Sequence, residues 1–170
     1  LKRQLDLNLA IARRGLAGDC GANVGLVLLS NETIDLTTRA RAMAAAGSDA
    51  RMSGVELPVV IVSGSGNQGI TASVPLAVWA ADKGFDEEKL LRALIVSDLV
   101  TIHQKTGIGR LSAFCGAVCA GCGAGAGIAY MEGGGYDSVA HTVVNALAII
   151  SGMICDGAKA SCAGKIAAAV

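Results

Sequence analysis

The chain has 170 residues, with Lys+Arg 14 against Asp+Glu 14, 52% hydrophobic and 16% charged side chains. That balance excludes an electrostatic nucleic-acid binder, and one Trp, two Tyr and two Phe leave almost nothing on which bases could stack. The apolar content also excludes disorder, and the length suits one domain with a real core.

Residues 1–16 place Leu5, Leu9, Ala12 and Leu16 at helical spacing, with Gly15 and Gly18 expected to stop the helix. Residues 22–30 are short and apolar, open between helix and strand. Residues 33–46 read as a helix with Ile34, Ala42 and Ala45 inward and Arg39 and Arg41 outward. Leu57-Pro58-Val59-Val60-Ile61-Val62 is the one strand-like run. The loop Ser63-Gly64-Ser65-Gly66-Asn67-Gln68-Gly69 follows, then a helical pattern to Asp82 closed by Gly84. Asp86-Glu87-Glu88 opens the next helix with acid at its positive end, and that helix runs to Lys105. Beyond Gly107, helices are predicted over about 110–130, 136–153 and 156–169, parted by Gly133-Gly134-Gly135 and by Cys155-Asp156-Gly157. The predicted class is all-α or nearly so: one compact helical domain over 1–170, with Gly/Ala-rich central helices and at most one short strand.

Charge is unevenly spread: residues 107–170 hold six of the 28 charged side chains, which points to a buried centre there. Within it, residues 111–131 carry no charge and are long enough to span a bilayer. Eleven of those 21 residues are Gly or Ala and only four are Leu, Ile, Phe or Val, so a closely packed central helix is the better reading than a membrane span. Five of the six cysteines fall in the last third of the chain. Reduced thiols, some of them metal ligands, fit that clustering better than disulfides do, and no secretory signal is seen, so a cytoplasmic setting is expected. The first residue is Leu1, which suggests a piece of a longer chain.

Three motifs carry possible chemistry. Gly64-Ser65-Gly66-Asn67-Gln68-Gly69 matches GxGxxG after a strand-like run and before a helix, but no second βα unit with an acidic strand end follows, which disfavours a dinucleotide fold. The loop still offers backbone N–H groups at a helix N-terminus, with the amides of Asn67 and Gln68, where a carboxylate would fit as well as a phosphate. It could also be a turn that merely connects two elements. Cys115-x3-Cys119-x2-Cys122 has radical-SAM spacing without the barrel or the aromatic residue before the last Cys. Small thiols packing a helix crossing is its plain alternative. Cys155 and Cys162, seven residues apart on a helix, would lie on one face roughly 10 Å apart. That is wide for one metal ion and workable for the corners of a cluster, more so if Gly157 breaks the helix, although taken alone the pattern fits small thiols packed in the core better.

Three long stretches, the 63–70 loop, Gly109-Arg110-Leu111-Ser112-Ala113-Phe114-Cys115-Gly116 and Ser151-Gly152-Met153-Ile154-Cys155-Asp156-Gly157-Ala158-Lys159-Ala160-Ser161-Cys162, occur in the order in which the L-cysteine desulfidase family has them. The chain resembles that family, which is related to the iron–sulfur L-serine dehydratase α subunit, over essentially its whole length, Ala46-Gly47-Ser48-Asp49-Ala50-Arg51-Met52 included. The resemblance implies the C-terminal catalytic part of a longer chain, carrying a [4Fe–4S] cluster on Cys115, Cys155 and Cys162. It assigns the substrate carboxylate to the 63–69 loop, with Ser63, Ser65, Gly66, Asn67, Gln68 and Gly69 as substrate-binding residues, in agreement with the anion-site argument. Cys119, Cys122 and Cys20 receive no role.

Three ligands leave one iron open to act as a Lewis acid on a leaving group, as an open catalytic zinc does. The activity implied is elimination of hydrogen sulfide from L-cysteine, giving pyruvate, ammonia and sulfide, or of water from L-serine. The implied partners are a small amino-acid substrate, the N-terminal region missing here and a possible homo-oligomer, with no nucleic acid and no membrane. The family's α-proton base lies in that N-terminal region, so the 170-residue chain alone is expected to be inactive. Asp156 and Lys159, among the ligands, are candidates to orient substrate or tune the cluster, with helix capping as their alternative. Arg110 could bind a carboxylate but reads better as a partner in a surface salt bridge, His141 reads as a core histidine and His103 as a complement to a helix dipole. Without the resemblance, a non-catalytic domain holding a small anion, or a segment built for helix packing, would remain open.

Overall fold

The computed structural model describes residues 1–30, 33–109 and 111–170. Among them run eight helices: α1 Lys2–Leu16, α2 Val24–Leu29, α3 Leu36–Met52, α4 Gly66–Lys83, α5 Glu87–Ile108, α6 Gly116–Met131, α7 Tyr136–Ile150 and α8 Ser161–Ala169. The all-α class is as the sequence predicts, and residues 22–30 resolve as helix.

Two small-residue helices form the centres. α3 packs against α1, α2, α4 and α8, and α6 packs against α4, α5, α7 and α8, so that α4 and α8 bridge the two halves. α3 turns Ala40, Ala42, Ala44, Ala45, Ala46 and Ala50 inward, and the absence of bulk lets backbones approach. A Cβ on Gly15 would stand 1.9 Å from the Ala46 carbonyl oxygen. Gly15 is therefore a crossing point inside α1, not the stop the sequence suggests. α6 does the same: a Cβ on Gly123 would meet Ser97 O at 2.4 Å, and one on Gly121 would meet Ala169 O at 2.3 Å. The larger buried side chains, Ile11, Ile70, Leu76, Leu94 and Ile166, fill the spaces between these close crossings, each contributing about 1.5–3 kcal/mol by burial.

Capping follows the local chemistry. Asp35 accepts from Thr38 N at 2.6 Å and Asp86 from Lys89 N at 2.8 Å, each opening its helix. Gly84 ends α4 in the left-handed conformation, φ +70°.

Several expectations are corrected. Residues 57–62 form no strand: they run extended, and Val60 is paired by a side chain, since Asn8 Oδ1 accepts from Val60 N at 2.9 Å and Asn8 Nδ2 donates to Val60 O at 3.2 Å. Ile34 lies before α3 and is exposed, and Arg41 is half-buried, donating to Ala167 O at 2.7 Å. α6 starts at Gly116 and α7 ends at Ile150, because residues on either side are drawn into a short backbone pairing between Phe114 and Ile154. α8 starts only at Ser161, with Gly157 at φ +91° in the preceding loop, so Cys155 and Cys162 do not share a helix face. His141 is exposed on α7, a helix that buries none of its residues. Arg110 lies outside the described residues. No helix among the described residues is long and apolar enough to cross a membrane.

Candidate functional site

Ser63 (φ +48°) and Gly64 (φ +92°) make a two-residue reversal, closed by Val62 N donating to Ser65 O at 3.3 Å and Ser65 N donating to Val62 O at 3.2 Å. Two consecutive positive φ values are what such a tight turn needs, and glycine supplies the second at no steric cost. The turn delivers the chain into α4, whose first N–H groups have no side-chain cap. A Cβ on Gly69 would sit 1.9 Å from Val60 O, so the first turn of α4 lies directly on the extended segment that Asn8 holds.

On the other side, Cys115 N donates to Met153 O at 3.0 Å and Cys155 N donates to Ala113 O at 2.7 Å. These two bonds fix both cysteine backbones relative to one another. Cys162 is in the first turn of α8, and its thiol donates to Gly157 O at 3.5 Å. The Gly157 reversal returns the chain so that Cys155 and Cys162 reach the same place from different elements.

Loop and cysteines line one cavity of about 210 Å³. Ser63, Gly64, Ser65, Asn67 and Gln68 form one wall, Cys115, Cys155 and Cys162 another, with Phe114 and Ile166 supplying apolar surface. Gly66 and Gly69 support the loop from outside this lining. Gln68 is buried, and its Oε1 has no hydrogen-bond partner among the described residues. Burial raises the Cys115 thiol pKa, and the neighbouring Cys155 and Cys162 raise it further, against lowering by the Ala117 N–H and Lys165. All six cysteines are free. Three thiols facing one cavity are the soft donors an iron–sulfur group takes. Among the described residues no three His, Cys, Asp or Glu side chains are placed to hold a single metal ion.

Asp156 and Lys159 are not in the cavity wall. Asp156 pairs with Lys165 and accepts from Ser161 Oγ at 2.9 Å, and those hydrogen bonds pull its carboxyl pKa down to about 2. Lys165 also donates to Ile154 O at 2.9 Å, stapling the Cys155 segment to α8. Of the Cys115-x3-Cys119-x2-Cys122 set, only Cys115 faces the site. Cys119 lies with Cys115 along a separate apolar pocket, and the Cys122 thiol pKa is pushed up to about 11, mainly by burial.

Sequence reading missed Arg51 and Lys105, both in the cavity wall. Arg51 donates to Asn67 Oδ1 at 3.3 Å and thus ties α3 to the loop. Its only sequence signal was its place in the 46–52 stretch; Lys105 read as an ordinary basic residue near a helix end.

The helical scaffold brings a glycine-rich loop and three cysteines around one cavity. The family model described as serine dehydratase alpha chain matches residues 1–170, and the chain belongs to that family. It is 68% identical over 170 residues to a UPF0597 protein of Desulfitobacterium hafniense, covering all of this chain and 40% of that one. UPF0597 proteins of Lachnoclostridium phytofermentans and Finegoldia magna are each 55% identical over 170 residues, covering 41% and 40% of their lengths. The chain thus spans about 40% of the length of these curated relatives. No solved structure matches it.

Proposed function

We propose that this chain carries the cluster-binding and substrate-anchoring part of an iron–sulfur lyase that eliminates hydrogen sulfide from L-cysteine, with pyruvate, ammonia and sulfide as products. The observation that carries the reading is that Cys115, Cys155 and Cys162 line the same cavity as the 63–69 loop. Elimination of water from L-serine is the second reading, favoured by the family's description.

The three thiolates would hold a [4Fe–4S] cluster, and loading it requires Cys115 to lose the proton that burial favours. When bound, a cluster with three protein ligands supplies a Lewis-acidic iron for the β-substituent of the substrate. The chain's own residues bind and orient. The first-turn N–H groups of α4, Ser63 and Ser65 receive a carboxylate, and Asn67, steadied by Arg51, holds the loop in place. Gln68 Oε1 offers an acceptor to an amino group. Loss of the α-proton and of the β-substituent leaves an enamine, which hydrolyses to pyruvate and ammonia. The base for the α-proton belongs to the region that the relatives carry beyond this match, in our reading N-terminal to it. A cytoplasmic setting, where thiols stay reduced, goes with this chemistry.

The test is pyruvate formation from L-cysteine and L-serine by the anaerobically reconstituted complete protein and by the 170-residue chain. Turnover by the complete protein and none by the chain is expected. Absence of turnover of either amino acid by the complete protein would refute the reading.

A further inference from the structure

Lys105 is only 4% exposed. No ion pair or side-chain hydrogen bond among the described residues involves its ammonium. It lines the site cavity, and with Ser63 and Gly64 it also lines a larger cavity of about 630 Å³. No Asp or Glu among the described residues faces the site cavity. The Cys119 thiol is within electrostatic reach of Lys105, but burial raises its pKa, so it is no counter-ion at neutral pH. A buried ammonium without a counter-charge is costly, so this position calls for an anion that arrives with the ligand. The opposite need stands beside it, where buried Gln68 Oε1 lacks a donor.

We propose that Lys105 is the cation that binds the substrate's α-carboxylate in the cavity it shares with Ser63 and Gly64, while Gln68 Oε1 takes the α-ammonium. This rests on the reading of the cavity as an amino-acid site. It makes the site selective for a zwitterion: an amine lacks the group that answers Lys105, and a simple carboxylate lacks the donor for Gln68. Arg51, hydrogen-bonded to Asn67, is then a positioning residue for the loop.

The experiment is calorimetric titration of the complete, cluster-loaded protein with L-alanine, which has no leaving group, and with ethylamine, which has no carboxylate. Wild type, Lys105→Met and Lys105→Arg are compared, with iron content measured in each. We expect L-alanine affinity to fall about ten- to a hundredfold in Lys105→Met and to be largely kept in Lys105→Arg. Ethylamine binding and iron content should be the same in all three. No binding of L-alanine by wild type, equal binding by Lys105→Met, or loss of iron from Lys105→Met would each overturn the proposal. The last would make Lys105 a counter-charge to the cluster. Lys105-dependent binding of L-alanine without any pyruvate formation from cysteine or serine would instead sink the lyase reading and leave this one standing.

Discussion

Asn8 and Val60, 52 residues apart, are joined like neighbouring strands: the Asn8 carboxamide both accepts from and donates to the Val60 backbone. Asn8 is fully buried in α1 and also donates to Ser73 Oγ at 3.1 Å. One side chain therefore satisfies the extended segment that a β-sheet would otherwise satisfy, and it does so directly beneath the first turn of α4.

Asn8→Ala leaves the Val60 N–H and C=O without these partners in a half-buried segment. A net hydrogen bond contributes about 0.5–1.5 kcal/mol, so losing the pair is expected to cost about 1–3 kcal/mol. Chemical denaturation gives the number, and a change below about 1 kcal/mol would show that the pairing is not needed.

Gly123 and Gly164 make opposite predictions for the same substitution. A Cβ at Gly123 meets Thr101 Oγ1 at 2.3 Å and Ser97 O at 2.4 Å, and the second is backbone that cannot step aside. Gly123→Ala should push α5 from α6 and lower stability by about 1–3 kcal/mol or more. At Gly164, in α8, nothing lies within 4 Å. Gly164→Ala should stabilise by about 0.5–1 kcal/mol from helix propensity. Thermal melts of the two variants should move in opposite directions.

Asp49 gives a pH signature. It is buried, with Oδ2 accepting from Gly25 N at 3.1 Å and Oδ1 unpartnered. Burial raises its pKa above the ordinary 3.8, against the lowering by backbone donors at Gly25, Ala22 and Val24. A carboxyl whose pKa is higher in the folded state binds its proton more tightly there. Its contribution is fully present below pH 3.8 and is lost as pH rises through the raised value. Asp156 has the opposite sign: its contribution is present above 3.8 and lost as pH falls toward about 2. The stability of wild type relative to Asp49→Asn, followed by urea denaturation, should therefore decline as pH rises above 3.8. A rise would contradict this assignment.

The elements that could be read from sequence are those fixed by local chemistry. Asp86 with its following acids marks the start of α5, Gly84 the end of α4, and the Gly/Ala run a closely packed helix. The loop and the three cysteines stand in the stretches that carry the family resemblance, and it is that resemblance that singles them out. What could not be read is set by distant contacts. Residues 57–62 have strand composition, and only the position of Asn8 makes them an extended segment without a sheet. Gly15 looks like a helix stop because its reason, the Ala46 carbonyl at the crossing, is far away in sequence. Lys105 carries no local mark at all, since its burial is set by the tertiary fold. His141 has the apolar neighbours of a core residue, yet α7 lies on the outside.

Cys115, Cys155 and Cys162 are proposed to hold one iron–sulfur cluster. Iron and acid-labile sulfide per chain after anaerobic reconstitution test it most directly, on wild type, Cys155→Ala and Cys119→Ala. About four of each per chain are expected in wild type, with loss in Cys155→Ala and retention in Cys119→Ala, whose thiol stands outside the cavity wall. Stoichiometric iron that survives Cys155→Ala, or its absence from the complete wild-type protein, would contradict it.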